Sequence, residues 1–266
     1  MLAAAVEDEV VKDELLIQEM LNQSVRFGGI YLPSRSLQTA LGNYCTNLCV
    51  WTHYDECKVQ LLGTAIPVFY RNRYLLVCTG HQLRNVDAED VCLLYPDGSI
   101  SVTSSGVRGF NPTAARDSDA CDIAAFDFTE AVNDHQTLRE GFLSFSMVPP
   151  NVRSNEVVAL ITAGYPSSEQ VYDLSDNNHL GLVKRNLTAQ LDGKPADDAL
   201  VRARFVKKLD FNPDGMSGAP VFVVQIEGGQ LSAYLAGMIV RAGKERCYFL
   251  KIGYIKAFLD SFLNEA

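Results

Sequence analysis

Histidine is scarce in this chain: four occur in 266 residues, at positions 53, 81, 135 and 179. Imidazole chemistry near neutral pH therefore has few places to sit. Positive charge is short as well, with 23 Lys and Arg against 32 Asp and Glu and a formal net charge of −9. Nucleic-acid binding needs a local excess of Lys and Arg to neutralise phosphates. The longest basic cluster is Lys207-Lys208, so no nucleic-acid partner is expected. Nowhere do roughly 20 apolar residues follow one another, as a membrane span requires, so no membrane partner is expected either. The opening residues, MLAAAVEDEVV, lack a basic region and an apolar region ahead of Glu7, Asp8 and Glu9. No secretory leader is expected there. The seven cysteines are odd in number and follow no framework spacing. Reduced thiols in a cytoplasm are the expectation.

What is present is ordinary for a packed protein. With 47% hydrophobic and 21% charged residues, the chain is no disordered polymer and can bury a sizeable core. Residues 6–22 interleave Val6, Val10, Leu15, Ile17, Met20 and Leu21 with Glu, Asp, Lys and Gln, without Pro or Gly, and predict a helix. After Arg26-Phe-Gly-Gly the texture changes. About a dozen short runs rich in Val, Ile, Leu, Phe, Tyr and Thr follow, separated by turn signals such as Arg71-Asn-Arg and Glu227-Gly-Gly. They include Leu48–Thr52, Val59–Tyr70, Tyr74–Thr79, Ile123–Asp127, Val157–Ala163, Pro220–Gln225 and Leu231–Arg241. No βαβ alternation appears, so the pattern predicts an all-β barrel or sandwich. Ile255, Phe258, Leu259 and Phe262 recur at helical spacing and predict a C-terminal amphipathic helix over Tyr254–Leu263. Thr129–Val152, with its Pro149-Pro150, reads as a linker between two halves.

Three residues stand in contexts that chemistry can use. His81 sits right after an apolar strand, in Tyr74-Leu-Leu-Val-Cys-Thr-Gly-His. Asp122 opens Cys121-Asp-Ile-Ala-Ala-Phe. Ser217 lies in the glycine-bracketed turn Asp214-Gly-Met-Ser-Gly-Ala-Pro. A serine hydroxyl is a weak nucleophile until a base takes its proton. Imidazole can take that proton and return it to the leaving group, and a buried carboxylate fixes its tautomer. Glycines beside the serine let backbone amides turn inward as an oxyanion hole; the donors expected are Gly215 and Ser217. No histidine follows Ser217, which excludes the Ser-Asp-His order of α/β-hydrolases, and the all-β texture argues against the subtilisin order.

The order His81, Asp122, Ser217 resembles that of chymotrypsin/trypsin-like serine peptidases, of the bacterial intracellular trypsin-like sort. Gly63-Thr64-Ala65-Ile66 with Tyr74–His81 is similar to the strand pair that ends at the family histidine. Asp122-Ile-Ala-Ala-Phe and Gly215-Met-Ser-Gly-Ala-Pro-Val-Phe resemble the blocks around the family aspartate and nucleophile. The likeness covers roughly residues 45–263. It implies two antiparallel six-stranded β-barrels with the site between them. The expected units are a helical extension over 1–26, a first barrel over 27–140 carrying His and Asp, and a second over 141–266 carrying Ser and the C-terminal helix. It implies a serine endopeptidase that works through an acyl-enzyme on polypeptide substrates and needs no cofactor. It also implies that Phe211, six residues before the serine, helps floor the specificity pocket. Val240 and Arg241 would lie on the strand that pairs with substrate, with Arg241 favouring acidic groups.

The departures carry consequences. Gln82 stands where secreted relatives have a disulfide cysteine. Met216 replaces the acid that pairs with a new N-terminus after zymogen cleavage, so that switch is closed to this protein. The competing reading is a catalytically silent or partner-activated binding module, with the N-terminal helix as a candidate contact for an activating protein. Asp117, Asp119 and Asp127 are rivals of Asp122. Cys45, Cys49, His53 and Cys57 recur every four residues and invite a zinc reading. The segment reads as a strand, however, whose alternate side chains face opposite sides, and no metal site is expected.

Overall fold

A computed structural model describes residues 24–94, 101–109, 119–145, 152, 154–173 and 179–264. The N-terminal helix expected over 6–22 lies outside the described residues. In chain order the elements begin with β1 (Ser24–Phe27), β2 (Ile30–Pro33), the short helix α1 (Leu37–Gly42), β3 (Thr46–Tyr54), β4 (Cys57–Tyr70) and β5 (Arg73–Cys78). They continue with β6 (Val91–Leu94), β7 (Ser101–Thr103), β8 (Gly106–Gly109), β9 (Ala124–Asp127), α2 (Gln136–Glu140) and β10 (Leu143–Ser144). The second half holds β11 (Val157–Gly164), β12 (Val171–Asp173), β13 (His179–Gly181), β14 (Arg185–Leu191) and β15 (Leu200–Phe205). The last elements are β16 (Pro220–Glu227), β17 (Gln230–Ala242), β18 (Arg246–Lys251) and the helix α3 (Ile252–Asn264).

The all-β expectation holds. The second sheet runs β16-β11-β14-β15-β18-β17 and closes because β16 pairs with both β11 and β17. Phe222 shows this, facing Ile161 on one side and Leu235 on the other. Closure removes the exposed strand edges of that ring. Inward-facing Leu160, Phe205, Val221, Val223, Ile239 and Phe249 fill it. The first sheet runs β7-β6-β3-β4-β5-β9-β8 and curls into a half-barrel. It curls because β4 is shared. Residues from Val59 to Ala65 pair with β3, while Ile66 to Tyr70 pair with β5. A bulge between Leu48 and Cys49 opposite Gly63 turns the strand at the changeover.

Two boundaries differ from the sequence expectation. β1 and β2 belong to the second sheet, although residues from 27 onward were expected in the first barrel. The reason is an open edge. β18 pairs with β17 only over Gly237–Ala242, and β1 pairs in parallel farther along the strand, Arg26 with Ser232. The expected linker is also partly structured: it contains α2, and β10 pairs in parallel with β4 at Leu143–Val68.

One buried apolar cluster joins the halves. Ile66, Val68, Leu75 and Val77 from the first lobe pack with Ile161, Phe222, Met238 and Val240 from the second. α3 adds Ile255, Phe258, Leu259 and Phe262, the side chains that the sequence pattern placed on one helix face. The helix is fastened to β4 by polar contacts as well. Tyr70 Oη donates to Asp260 at 2.6 Å and Arg71, just after β4, pairs with the same carboxylate at 2.8 Å, while Lys256 one helical turn earlier pairs with it within the helix at 2.7 Å. Among the described residues no helix is long and apolar enough to cross a membrane.

Candidate active site

His81 sits in a short 3-10 turn, Gly80–Leu83, directly after β5. Asp122 follows another, Asp119–Cys121, just before β9. Because β5 pairs with β9, Cys78 faces Ala124, and the turns beyond them meet. The Asp122 carboxylate takes two hydrogen bonds from one residue. His81 N–H donates to Oδ1 at 2.8 Å, and Nδ1 lies 2.6 Å from Oδ2. Nδ1 carries the proton in this arrangement, since an ionised carboxylate only accepts. The rival carboxylates are engaged elsewhere. Asp119 pairs with Arg241 and Asp127 with Arg73, and Asp117 lies outside the described residues.

Ser217 lies on the turn that feeds β16. Gly215 and Gly218 both have positive φ, +91° and +86°, which favours glycine. Space demands it too. A Cβ on Gly218 would stand 1.9 Å from Thr64 O, and one on Gly215 would stand 2.5 Å from Tyr165 O. The carbonyls of the turn are committed. Asp214 O accepts from Ser167 N at 2.7 Å, and Met216 O from Ala219 N at 3.1 Å. Gly215 O accepts from Thr64 Oγ1 at 2.6 Å. Trans peptides point N–H and C=O in opposite directions, so the Gly215 and Ser217 amides face away from those partners. Neither amide donates a hydrogen bond among the described residues. Two unengaged amides two residues apart are donors of the kind that an oxyanion hole requires.

The serine itself is turned. Its Oγ donates to Val240 O at 3.4 Å, and this is its only hydrogen bond among the described residues. The structure therefore brings His81 and Asp122 into direct contact and sets the Ser217 turn against them, without a Ser217–His81 bond. Catalytic hydrogen bonds of this kind are often long or unformed before substrate binds.

Gln82 joins the two turns. Its Nε2 donates to Ser217 O at 3.0 Å and to Thr64 O at 3.2 Å. Its Oε1 accepts from Thr79 N at 3.0 Å and Thr79 Oγ1 at 2.8 Å. The sequence reading saw in Gln82 only a missing cysteine. The signal available was the Thr79-Gly-His-Gln spacing, a capping-box pattern whose Gln reaches back to the first residue. Thr64 stands in the sequence only as part of a strand motif. It is fully buried, and its hydroxyl both donates to Gly215 O and accepts from Tyr165 N at 2.9 Å.

The residues expected to touch substrate are placed as follows. Val240 is buried and presents its carbonyl to Ser217. Arg241 is held by Asp119 and stacks on Tyr248, 5.0 Å from the ring centroid. An acidic substrate group would have to displace Asp119 to use it. Phe211 is half-buried against the second-barrel core, under the guanidinium of Arg185 at 5.8 Å. Met216, at the position of the zymogen acid, is fully buried and apolar in its surroundings.

A cleft of about 530 Å³ opens beside His81, bordered by Trp51, Tyr54, Leu62 and Asp87. That volume suits one or two side chains of a ligand. A larger groove of about 960 Å³ lies between the ends of β15 and β18 and the start of α3. Of the three candidate residues, His81 lines the smaller cleft and none lines this groove.

All seven cysteines are free thiols. Burial pushes the Cys45, Cys92 and Cys247 thiols up to about 12 and raises those of Cys49 and Cys78 as well. Such thiols are poor nucleophiles, because the thiolate is the reactive form. Among the described residues no three His, Cys, Asp or Glu side chains gather as metal ligands. A comparison with protein-family models returned no match, and a comparison with curated proteins returned none either.

Proposed function

We propose that this protein is a chymotrypsin-like serine endopeptidase that hydrolyses peptide bonds through an acyl-enzyme. The observation that carries the reading is the His81–Asp122 pair, doubly bonded at 2.6 and 2.8 Å, beside a glycine-bracketed serine with two unengaged amides. Ser217 rotates off Val240 O and attacks the scissile carbonyl. His81 Nε2 takes its proton and passes it to the leaving amine, while Asp122 holds the ring and stabilises the imidazolium. The amides of Gly215 and Ser217 receive the developing oxyanion. Water then attacks the acyl-enzyme, with His81 again as base, and releases the second product. The leaving-group side of the substrate lies in the cleft bordered by Trp51 and Leu62. Seven free thiols favour a reducing compartment such as the cytoplasm.

One observation favours a second reading, a partner-activated or silent module: the Ser217 hydroxyl rests on Val240 O rather than on His81. Fluorophosphonate labelling of the purified protein decides between them, with Ser217→Ala as control. Labelling of the wild type that disappears in the variant supports the peptidase. A well-folded wild type that stays unlabelled overturns constitutive activity and supports the second reading.

A further inference from the structure

We propose that Gln82 is a positioning residue, a non-covalent clasp that sets the nucleophile turn against the histidine turn. The inference rests on the peptidase reading and adds a determinant of how that site is assembled. The two turns belong to different lobes, and no covalent bond joins them. Gln82 follows His81 directly, so whatever fixes its side chain also fixes the histidine backbone. Its carboxamide uses both ends. The oxygen is held by the Thr79 amide and hydroxyl, inside its own turn. The nitrogen spends its two hydrogens on Ser217 O in the second lobe and Thr64 O on β4. Thr64 O in turn faces Gly218, where a Cβ would stand 1.9 Å away.

The fit is steric as well as polar. A Cβ on Gly63 would stand 2.4 Å from Gln82 Nε2, and one on Gly218 would stand 3.0 Å from Oε1. One glycine from each lobe thus leaves the slot that the carboxamide fills. Ser217 O is the carbonyl oxygen of the nucleophile residue itself, two bonds from the Cα whose Cβ carries the hydroxyl. Fixing that carbonyl sets where the hydroxyl swings when it leaves Val240 O. The partly buried carboxamide also excludes water from carbonyls that would otherwise recruit it. A residue with this role acts through Ser217 and His81 and need not touch substrate.

The test compares wild type with Gln82→Met, which keeps side-chain length and removes every hydrogen bond, and with Gln82→Asn, which keeps the amide but shortens its reach. Two readouts are taken on the full chain. Amide hydrogen exchange follows the 214–219 turn, and steady-state kinetics with the fluorophosphonate rate constant follow the chemistry. The inference expects exchange in the turn of Gln82→Met to rise at least about tenfold, the effect of one or two lost hydrogen bonds, with β5 and β17 protected as before. It expects kcat and the labelling rate to fall about ten- to hundredfold with KM within about twofold, as misplacement of a reacting group predicts. Gln82→Asn should resemble Gln82→Met. Unchanged exchange in the turn overturns the clasp. Loosened exchange with full kcat overturns the positioning role. A fall in rate that matches only a fall in folded fraction, read by thermal unfolding, overturns it too. If the wild type shows no Ser217-dependent labelling, the peptidase reading and the catalytic part of this inference fall together, and the exchange result still separates that failure from failure of the clasp.

Discussion

Asp122→Asn is the substitution whose consequence follows most directly from the geometry. The carboxylate holds His81 twice, through the backbone N–H at 2.8 Å and through Nδ1 at 2.6 Å. Asparagine has the same shape but only one accepting oxygen. If that oxygen keeps the backbone bond, the amide NH₂ faces Nδ1, which must then accept. The ring proton moves to Nε2, and the imidazole can no longer take a proton from Ser217. Loss of the correct tautomer lowers turnover about ten-thousandfold in this type of triad, which corresponds to about 5.4 kcal/mol at the barrier. The cost to folding is smaller, about 1.5–3 kcal/mol for a charge-assisted hydrogen bond. The two effects are therefore separable. The assay is the second-order rate of fluorophosphonate labelling beside a calorimetric Tm. Asp127→Asn serves as the comparison, because Asp127 pairs with Arg73 and stays within about twofold of wild type. Labelling of Asp122→Asn within tenfold of wild type would refute the assignment of Asp122 and the tautomer argument with it.

Met216 is fully buried, and its Sδ would lie 2.7 Å from a Cβ on Gly164. Met216→Asp should therefore lower stability by about 3–5 kcal/mol, the cost of an uncompensated buried charge, and lower Tm by roughly 10 °C; an unchanged Tm would show that a partner for an acid exists there. The contribution of Asp260 to stability, within α3 and across to Tyr70, should be lost in acid. The Asp260 carboxyl is held below its ordinary range, first by the hydrogen bond from Lys256 and next by that from Tyr70. A depressed carboxyl stabilises the fold above the unfolded pKa, near 4, and loses that contribution as pH falls through the folded value. Asp260→Asn should thus be less stable than wild type at neutral pH and converge with it in acid. Tm curves that stay parallel across that range would contradict the linkage.

The candidate site was legible in the sequence because its residues are scarce and have unusual neighbours. One histidine of four follows directly on an apolar strand, and Ser217 stands between glycines whose positive φ the turn requires. Burial alternation made the strands legible, and the 3.6-residue spacing of Ile255, Phe258, Leu259 and Phe262 made the last helix legible, since both are local consequences of which side faces the core. The apolar run after Asp122 favoured it among the nearby acids in the sequence, but its contact with His81 was decided by the β5–β9 register. The sequence could not show that Arg241 is taken by Asp119, that β1 fills the edge of β17 left open by β18, or that Ser217 rests on Val240 O. Nor could it show that Gln82 spans two lobes. Those contacts join residues far apart in the chain, where spacing carries no information and only the closure of the second barrel on the first sheet decides which groups meet.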